Sequence, residues 1–161
     1  MNIELIMVGK TDSPEVEALL ATYAKRINRY CRMAVTALAD VRNTRNMAPA
    51  TQKRAEGEAE GEMILRNVAE GDYLLLLDEH GTEYTSIEFA QWMQKRMSSG
   101  VKRLVMVIGG PYGFSDEVYA RADGKLSLSR MTFSHQIVRA IFAEQLYRAF
   151  TILNNEPYHH E

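Results

Sequence analysis

A largely parallel α/β fold is what this chain predicts, on three observations. Short apolar runs alternate with segments whose apolar residues recur at helical spacing, the pattern of strand–helix–strand units. Two runs, Leu74-Leu75-Leu76-Leu77 and Leu104-Val105-Met106-Val107-Ile108, are continuously apolar, as strands covered on both faces are. Each of these runs ends in a polar or glycine-bearing turn, and in a parallel sheet such ends gather on one edge, where ligands bind.

Residues 3–8 form the first predicted strand, which ends at Gly9-Lys10. Ser13 and Pro14 then stand where an N-cap and a first helical residue belong, with Glu15 and Glu17 where negative charge suits the helix dipole. Val16, Leu19, Leu20, Tyr23 and Ile27 recur at helical spacing, so a helix of about four turns follows. Residues 33–38 read as a second strand. Residues 40–50, with Arg42, Asn43, Arg45, Asn46 and Pro49, read as a surface loop. A helix is expected over 50–68, weakened by Gly57 and Gly61. Its Glu56, Glu58, Glu60 and Glu62 form an expected solvated face.

After the turn at Gly71-Asp72, a strand over 73–77 ends at the polar loop Asp78-Glu79-His80-Gly81. Ser86 is the expected N-cap of a helix to Met97, with Phe89, Met93 and Met97 on one stripe and Ser98-Ser99-Gly100 as its stop. The strand over 104–108 runs into Gly109-Gly110-Pro111-Tyr112-Gly113-Phe114. A short strand opens at Leu126 and leads to a loop through Phe133, and a helical pattern runs from Ser134 to about Ile152. Five strands are expected, beginning near Ile3, Met33, Tyr73, Leu104 and Leu126.

At 161 residues the chain reads as one domain with a real core. No apolar run approaches the ~20 residues of a membrane span. The first residues read as a strand without a basic leader, so neither signal peptide nor membrane partner is expected. Cys31 is the single cysteine, which rules out an internal disulfide and suits a reducing cytoplasm. The net charge of −2 speaks against a generic nucleic-acid binder but leaves room for a local basic patch. Lys10, Arg26, Arg29, Arg42, Arg45 and Arg130 are the candidates for phosphate contacts.

Chemistry is concentrated in three loops at strand ends: 77–81, 108–113 and 128–133. Glycine there lets a ligand approach the backbone, whose N–H and C=O groups can bond an adenine ring or a carboxylate. The glycine spacing is neither the dinucleotide fingerprint nor a phosphate-cradling P-loop. The four histidines, His80, His135, His159 and His160, lack zinc-site spacing, so no metal is expected. No Gly-x-Ser-x-Gly elbow is present.

His135, at the start of the last helix, is either a packing and capping group or a polar group at the ligand edge. Ile137, Val138, Ile141, Phe142, Leu146, Phe150 and Leu153 cover more than one face of that helix, which suits core burial and a homodimer interface together. Arg139 and Arg148 are either surface ion-pairing groups or ligands for phosphate or carboxylate. A frayed end is the ordinary expectation for 154–161. That tail nevertheless holds an aromatic suited to stacking on an unpaired base, Tyr158, beside two imidazoles.

Taken in order, these motifs resemble the RlmH family, small SPOUT-class methyltransferases that modify large-subunit ribosomal RNA. The resemblance runs from Val8-Gly9-Lys10 through Val107-Ile108-Gly109-Gly110-Pro111 and Leu128-Ser129-Arg130-Met131-Thr132-Phe133-Ser134-His135. It continues through Val138-Arg139 and Glu144-Gln145-Leu146-Tyr147-Arg148-Ala149 to Pro157-Tyr158-His159, essentially the whole length. The resemblance implies a sheet of five or six strands with helices on both faces. Its C-terminal part would be threaded as a deep trefoil knot, which sequence reasoning alone rejects because knots are rare.

It implies S-adenosylmethionine bound by Leu77, Gly109 and Leu128, Ser129, Arg130, Met131, Thr132 and Phe133. It implies a cytoplasmic homodimer with RNA spanning both subunits. The substrate would be a pseudouridine of 23S rRNA in the assembled ribosome, methylated at ring nitrogen N3. His159 or His135 would take the departing proton, and Tyr158 would stack on or orient the base. Ser134 stands where the family's closest motif has proline, and Asp78-Glu79-His80 varies among relatives. Two other readings remain at this point: a nucleotide-binding regulatory α/β module, and a methyltransferase acting on another RNA such as tRNA.

Overall fold

A computed structural model describes residues 1–41 and 47–160. Part of the expected 40–50 loop, with Arg42 and Arg45, lies outside the described residues. Five strands form one parallel sheet: β1 (Asn2–Val8), β2 (Met33–Leu38), β3 (Tyr73–Glu83), β4 (Arg103–Ile108) and β5 (Gly124–Ser127), in the order β2-β1-β4-β3-β5. The helices are α1 (Pro14–Ile27), α2 (Pro49–Arg66), α3 (Ser86–Ser98), α4 (Asp116–Arg121) and α5 (Ile137–Leu153).

Successive strand residues point to opposite faces, so each central strand feeds two cores. Leu5, Leu75 and Met106 pack on one face against Leu20 and Ile27 of α1, Phe89 and Met93 of α3, and Phe142 and Leu146 of α5. Their neighbours Ile6, Leu76 and Val107 pack on the other against Ile64 of α2 and Val118 of α4. This double coverage is why Leu104 to Ile108 is uninterruptedly apolar: all five residues are buried.

The first helix begins as expected, with the Ser13 hydroxyl accepting from the Val16 N–H and Pro14 leading the helix. Elsewhere the boundaries move for identifiable reasons. α2 starts at Pro49 and ends at Arg66, not at 50 and 68. α3 is capped by Thr85 rather than Ser86, because Glu88 three residues later returns a bond to the Thr85 N–H and closes a capping box. α5 starts at Ile137 rather than Ser134, whose hydroxyl accepts from the Ile137 N–H, so 130–135 remain an exposed connection.

Two expectations about charge are corrected. Glu60 is not on a solvated face: it is buried, 7% exposed, because the turn after β4 lies over α2 at that point. Arg139 is not a surface ion-pairing group: it is 0% exposed. Its guanidinium donates to the carbonyls of Val8 (2.8 Å), Gly9 (3.0 Å) and His135 (3.0 Å), and to the Thr11 hydroxyl (2.9 Å). Burial pulls its pKa below the ordinary value, while Asp12 and Asp40 act in the opposite sense. The planar fork suits this task, since five N–H donors in fixed geometry can reach acceptors on two segments at once.

Replacing Arg139 with Met keeps the length but leaves buried carbonyls unpaired. Urea unfolding is expected to show a loss of about 3 kcal/mol or more. Arg139→Lys is expected to recover only part of it, because an ammonium cannot span the same acceptors.

Candidate functional site

β5, β3 and β4 are parallel neighbours, so their C-terminal ends lie side by side. The turns that leave them enclose a cavity of about 440 Å³, within the usual size of small-molecule sites. Its walls combine apolar side chains (Leu77, Ile108, Leu126, Leu128 and Val138) with the glycine-rich turn 109–113 and the polar residues Ser127, Ser129 and Thr132. Such a pocket suits a flat heteroaromatic ligand whose polar edge meets main-chain groups.

The structure brings most of the expected residues to this cavity. Leu77, Gly109, Leu128, Ser129, Met131, Thr132, Phe133 and His135 all line it. Arg130 does not; its side chain is 90% exposed, and its Nε lies 4.0 Å from Glu83 Oε1. Tyr158 and His159 do not line it either.

The strand β3 is longer than expected, and its extension builds one wall. Leu77 and Thr82 both register with Leu126, so residues 78–81 bulge out of the ladder before pairing resumes at Thr82. Gly81 makes this possible: a Cβ there would sit 2.6 Å from the Leu126 carbonyl carbon. Within the bulge the Asp78 carboxylate accepts from the His80 N–H (2.8 Å) and from the Tyr119 hydroxyl. Burial, followed by that carboxylate, pushes the Tyr119 phenol up to about 12. Tyr119 belongs to α4, which sequence reasoning missed along with Tyr119 itself. The signal was there in Ser115-Asp116-Glu117, a cap followed by two acids, and Ser115 does accept from the Val118 N–H.

Glu60 lies beneath the glycine turn, with its Oε1 3.0 Å from where a Cβ on Gly110 would be. Burial, then the nearby Glu56 and Asp40 carboxylates, raises its pKa to about 7. The other basic candidates are scattered. Arg26 lies over the rings of Tyr23 and Tyr147 at 5.4 and 5.5 Å, Arg29 is exposed, and the Lys10 carbonyl accepts from the Gln136 side chain.

The tail is docked rather than frayed. Tyr30 OH donates to Glu156 Oε1 at 2.5 Å, and Tyr158 OH donates to Glu144 Oε1 at 2.9 Å. Arg148 holds the same carboxylate oxygen through Nη2 (2.6 Å) and Nε (3.1 Å), and its Nη1 lies 3.1 Å from His159 Nδ1. A guanidinium only donates, so this contact places the lone pair of the His159 ring on Nδ1. Burial raises the Tyr158 pKa further than any single bond does, with Tyr23 and Glu144 adding to it. Tyr147 meets the Tyr158 ring edge-on at 4.8 Å.

Among the described residues, no group of three or more His, Cys, Asp or Glu side chains is placed to hold a metal ion. No helix of the described residues is long and apolar enough to cross a membrane.

Over residues 1–159 the chain matches the family model described as "Predicted SPOUT methyltransferase". It is 53% identical over 160 residues to a protein of Christiangramia forsetii named Ribosomal RNA large subunit methyltransferase H, covering 99% of each chain. Relatives of the same name from Flavobacterium psychrophilum and Parabacteroides distasonis are 52% and 51% identical over 161 residues, the full length of both chains in each pair.

The buried carboxyl beneath the turn gives a pH dependence of known sign. An unfolded glutamate releases its proton near 4.5, whereas Glu60 holds it to about 7. The folded state therefore binds more protons between those values, and stability falls as pH rises through that window. Glu60→Gln is expected to abolish that slope and to raise stability at pH 8 by about 1 to 3 kcal/mol, measured by urea unfolding at pH 5 and 8.

Proposed function

The chain belongs to the SPOUT methyltransferase family, and on that premise we propose that it methylates N3 of a pseudouridine in 23S rRNA of the assembled ribosome, using S-adenosylmethionine. Methyl transfer to ribosomal RNA is its activity. The observation that carries the reading is the cavity where the turns of β3, β4 and β5 meet, in a chain that matches named rRNA methyltransferases end to end. In this reading the chain works as a single SPOUT domain over 1–161, with the family's trefoil knot in its C-terminal part, in the cytoplasm.

The residues present fit the cofactor. The cavity has the volume, apolar side chains for a purine ring, and exposed main-chain groups in the turns 109–113 and 128–133 for its polar edge. When bound, S-adenosylmethionine supplies a methyl group on a positively charged sulfur, which needs only an aligned nucleophile. The protein's part is therefore mostly positioning. Leu77 and Leu128 would pack against the nucleoside, and the bulge at 78–81, fixed by Asp78 and Tyr119, would hold one wall still.

The pseudouridine N3 proton must be taken up as the methyl arrives. His135 lines the cavity and is exposed, so it can receive that proton directly. His159 has its basic nitrogen toward Arg148 and lies outside the cavity wall of its own chain. It would serve across a homodimer only once Nδ1 is released from that guanidinium, while Glu144 holds Tyr158 beside it. A homodimer is also supported by exposed apolar side chains at and beyond the cavity wall: Met131 and Phe133 in the wall are 78% and 37% exposed, and Ile137 and Tyr84 outside it 39% and 36%.

The chemistry is tested by mass mapping of 23S rRNA from cells with and without the gene, where a single pseudouridine is expected to lose 14 mass units, about one methylene (on the order of the group transferred). Single-turnover methylation should fall about 10²-fold or more in His135→Ala or in His159→Ala. Wild-type rates in both variants at saturating ribosome would place the proton acceptor elsewhere. Calorimetric titration is expected to show binding of S-adenosylmethionine and none of ATP; the reverse would make the chain a nucleotide-binding module. Met131→Asp combined with Ile137→Asp is expected to halve the particle mass in light scattering.

A further inference from the structure

One basic side chain in the cavity wall has no charged partner among the described residues. Lys53 of α2 is the only lysine or arginine among the described lining residues. Of the acids that share the wall, Asp78 accepts from His80 and Tyr119, and the Glu79 carboxylate lies 3.5 Å from the His80 ring. Lys53 forms no ion pair with any described residue. It stands near the start of α2, whose N-cap Ala48 gives no side-chain hydrogen bond and whose first turn holds no acid to offset the positive end of the helix dipole. A lone cation at the rim of a cavity asks for an anionic ligand group.

The surroundings decide which anion. On its other side Lys53, with Tyr112, borders a second cavity of about 550 Å³ between α2 and α4. That cavity carries Glu58, Glu62, Asp116 and Glu117 against Arg54, and Arg54 is already paired with Glu58 at 3.1 Å. Four carboxylates repel a phosphodiester chain, so an RNA backbone is disfavoured along that path. The anion must come from the first cavity. S-adenosylmethionine carries one, the α-carboxylate of its methionine half, at the end remote from the adenine.

The geometry points to Lys53 as the group that binds the α-carboxylate of the cofactor, and so distinguishes the full cofactor from analogues lacking that group. This assignment rests on the proposed use of S-adenosylmethionine. It gives the pocket two ends: main-chain groups at the strand termini for the nucleoside, and one side-chain cation on α2 for the amino-acid half. α2 thereby becomes part of the binding site rather than only a cover for the sheet.

Isothermal titration of the full chain with S-adenosylmethionine and with its decarboxylated analogue tests this. The wild type is expected to bind the carboxylate-bearing compound about tenfold or more tightly than the analogue, as for one charge-assisted contact. Lys53→Met is expected to lose about that factor for S-adenosylmethionine and nothing for the analogue, and Lys53→Arg to retain most of the discrimination. Lys53 is exposed, so unchanged urea midpoints are expected to accompany the effect.

Equal losses for both compounds, or no loss for either, would overturn the assignment. Unchanged S-adenosylmethionine affinity with weakened ribosome binding would overturn it in favour of a phosphate contact. A wild type that binds neither compound would instead remove the cofactor reading itself, and this assignment with it.

Discussion

The buried guanidinium of Arg139 is the contact on which the rest of the molecule depends. Parallel sheets place their loops at one edge, but nothing in the sheet itself fixes those loops relative to the last helix. Arg139 does so by donating to Val8 and Gly9 at the end of β1, to Thr11 beyond it, and to His135 just before α5. One side chain thus ties the end of β1, the neighbour of central β4, to the segment that carries His135 and the 128–133 turn. Its cost is the burial of a charge, offset by four hydrogen bonds and by the distant attraction of Asp12 and Asp40.

The cavity follows from strand order. Because β4, β3 and β5 are consecutive neighbours, three turns far apart in sequence share one wall-to-wall space. Two departures from regular structure then shape it. The bulge at 78–81 lifts Asp78 and His80 out of the ladder, and the turn after β4 settles onto α2 closely enough to bury Glu60. Both departures place acids in or under the site, and only Asp78 has its charge met by strong donors. Glu60 instead keeps its proton toward neutral pH, which costs the fold less than an unpaired buried carboxylate would.

The C-terminal segment shows how an otherwise unremarkable end becomes ordered. Glu144 and Arg148 are one helical turn apart on α5, so they pair along the helix, and the pair presents a shared oxygen to Tyr158 and a donor to His159. Tyr30, in the turn after α1, and Tyr147 of α5 close around the segment. Aromatic edges and an ion pair made twice to one carboxylate oxygen together outweigh the chain entropy that usually frees a terminus.

Much of this was legible in the residues alone. The continuous apolar runs at 73–77 and 104–108 announced doubly covered parallel strands, Ser13-Pro14 announced α1, and the glycine and serine turns marked the edge that binds. These are local signals, set by side-chain periodicity and by caps within a few residues. Ordered motifs along the chain also pointed to the SPOUT methyltransferases, and the family comparison agrees. What the sequence could not decide were matters of which distant surfaces meet. A glutamate on an apparently polar helix face is buried only because another loop lies on it. An arginine in an apolar helix becomes structural only because β1 ends beside it. Lys53 belongs to the cavity only because α2 crosses the sheet there. Each depends on contacts between residues tens of positions apart, and no short-range pattern encodes such contacts.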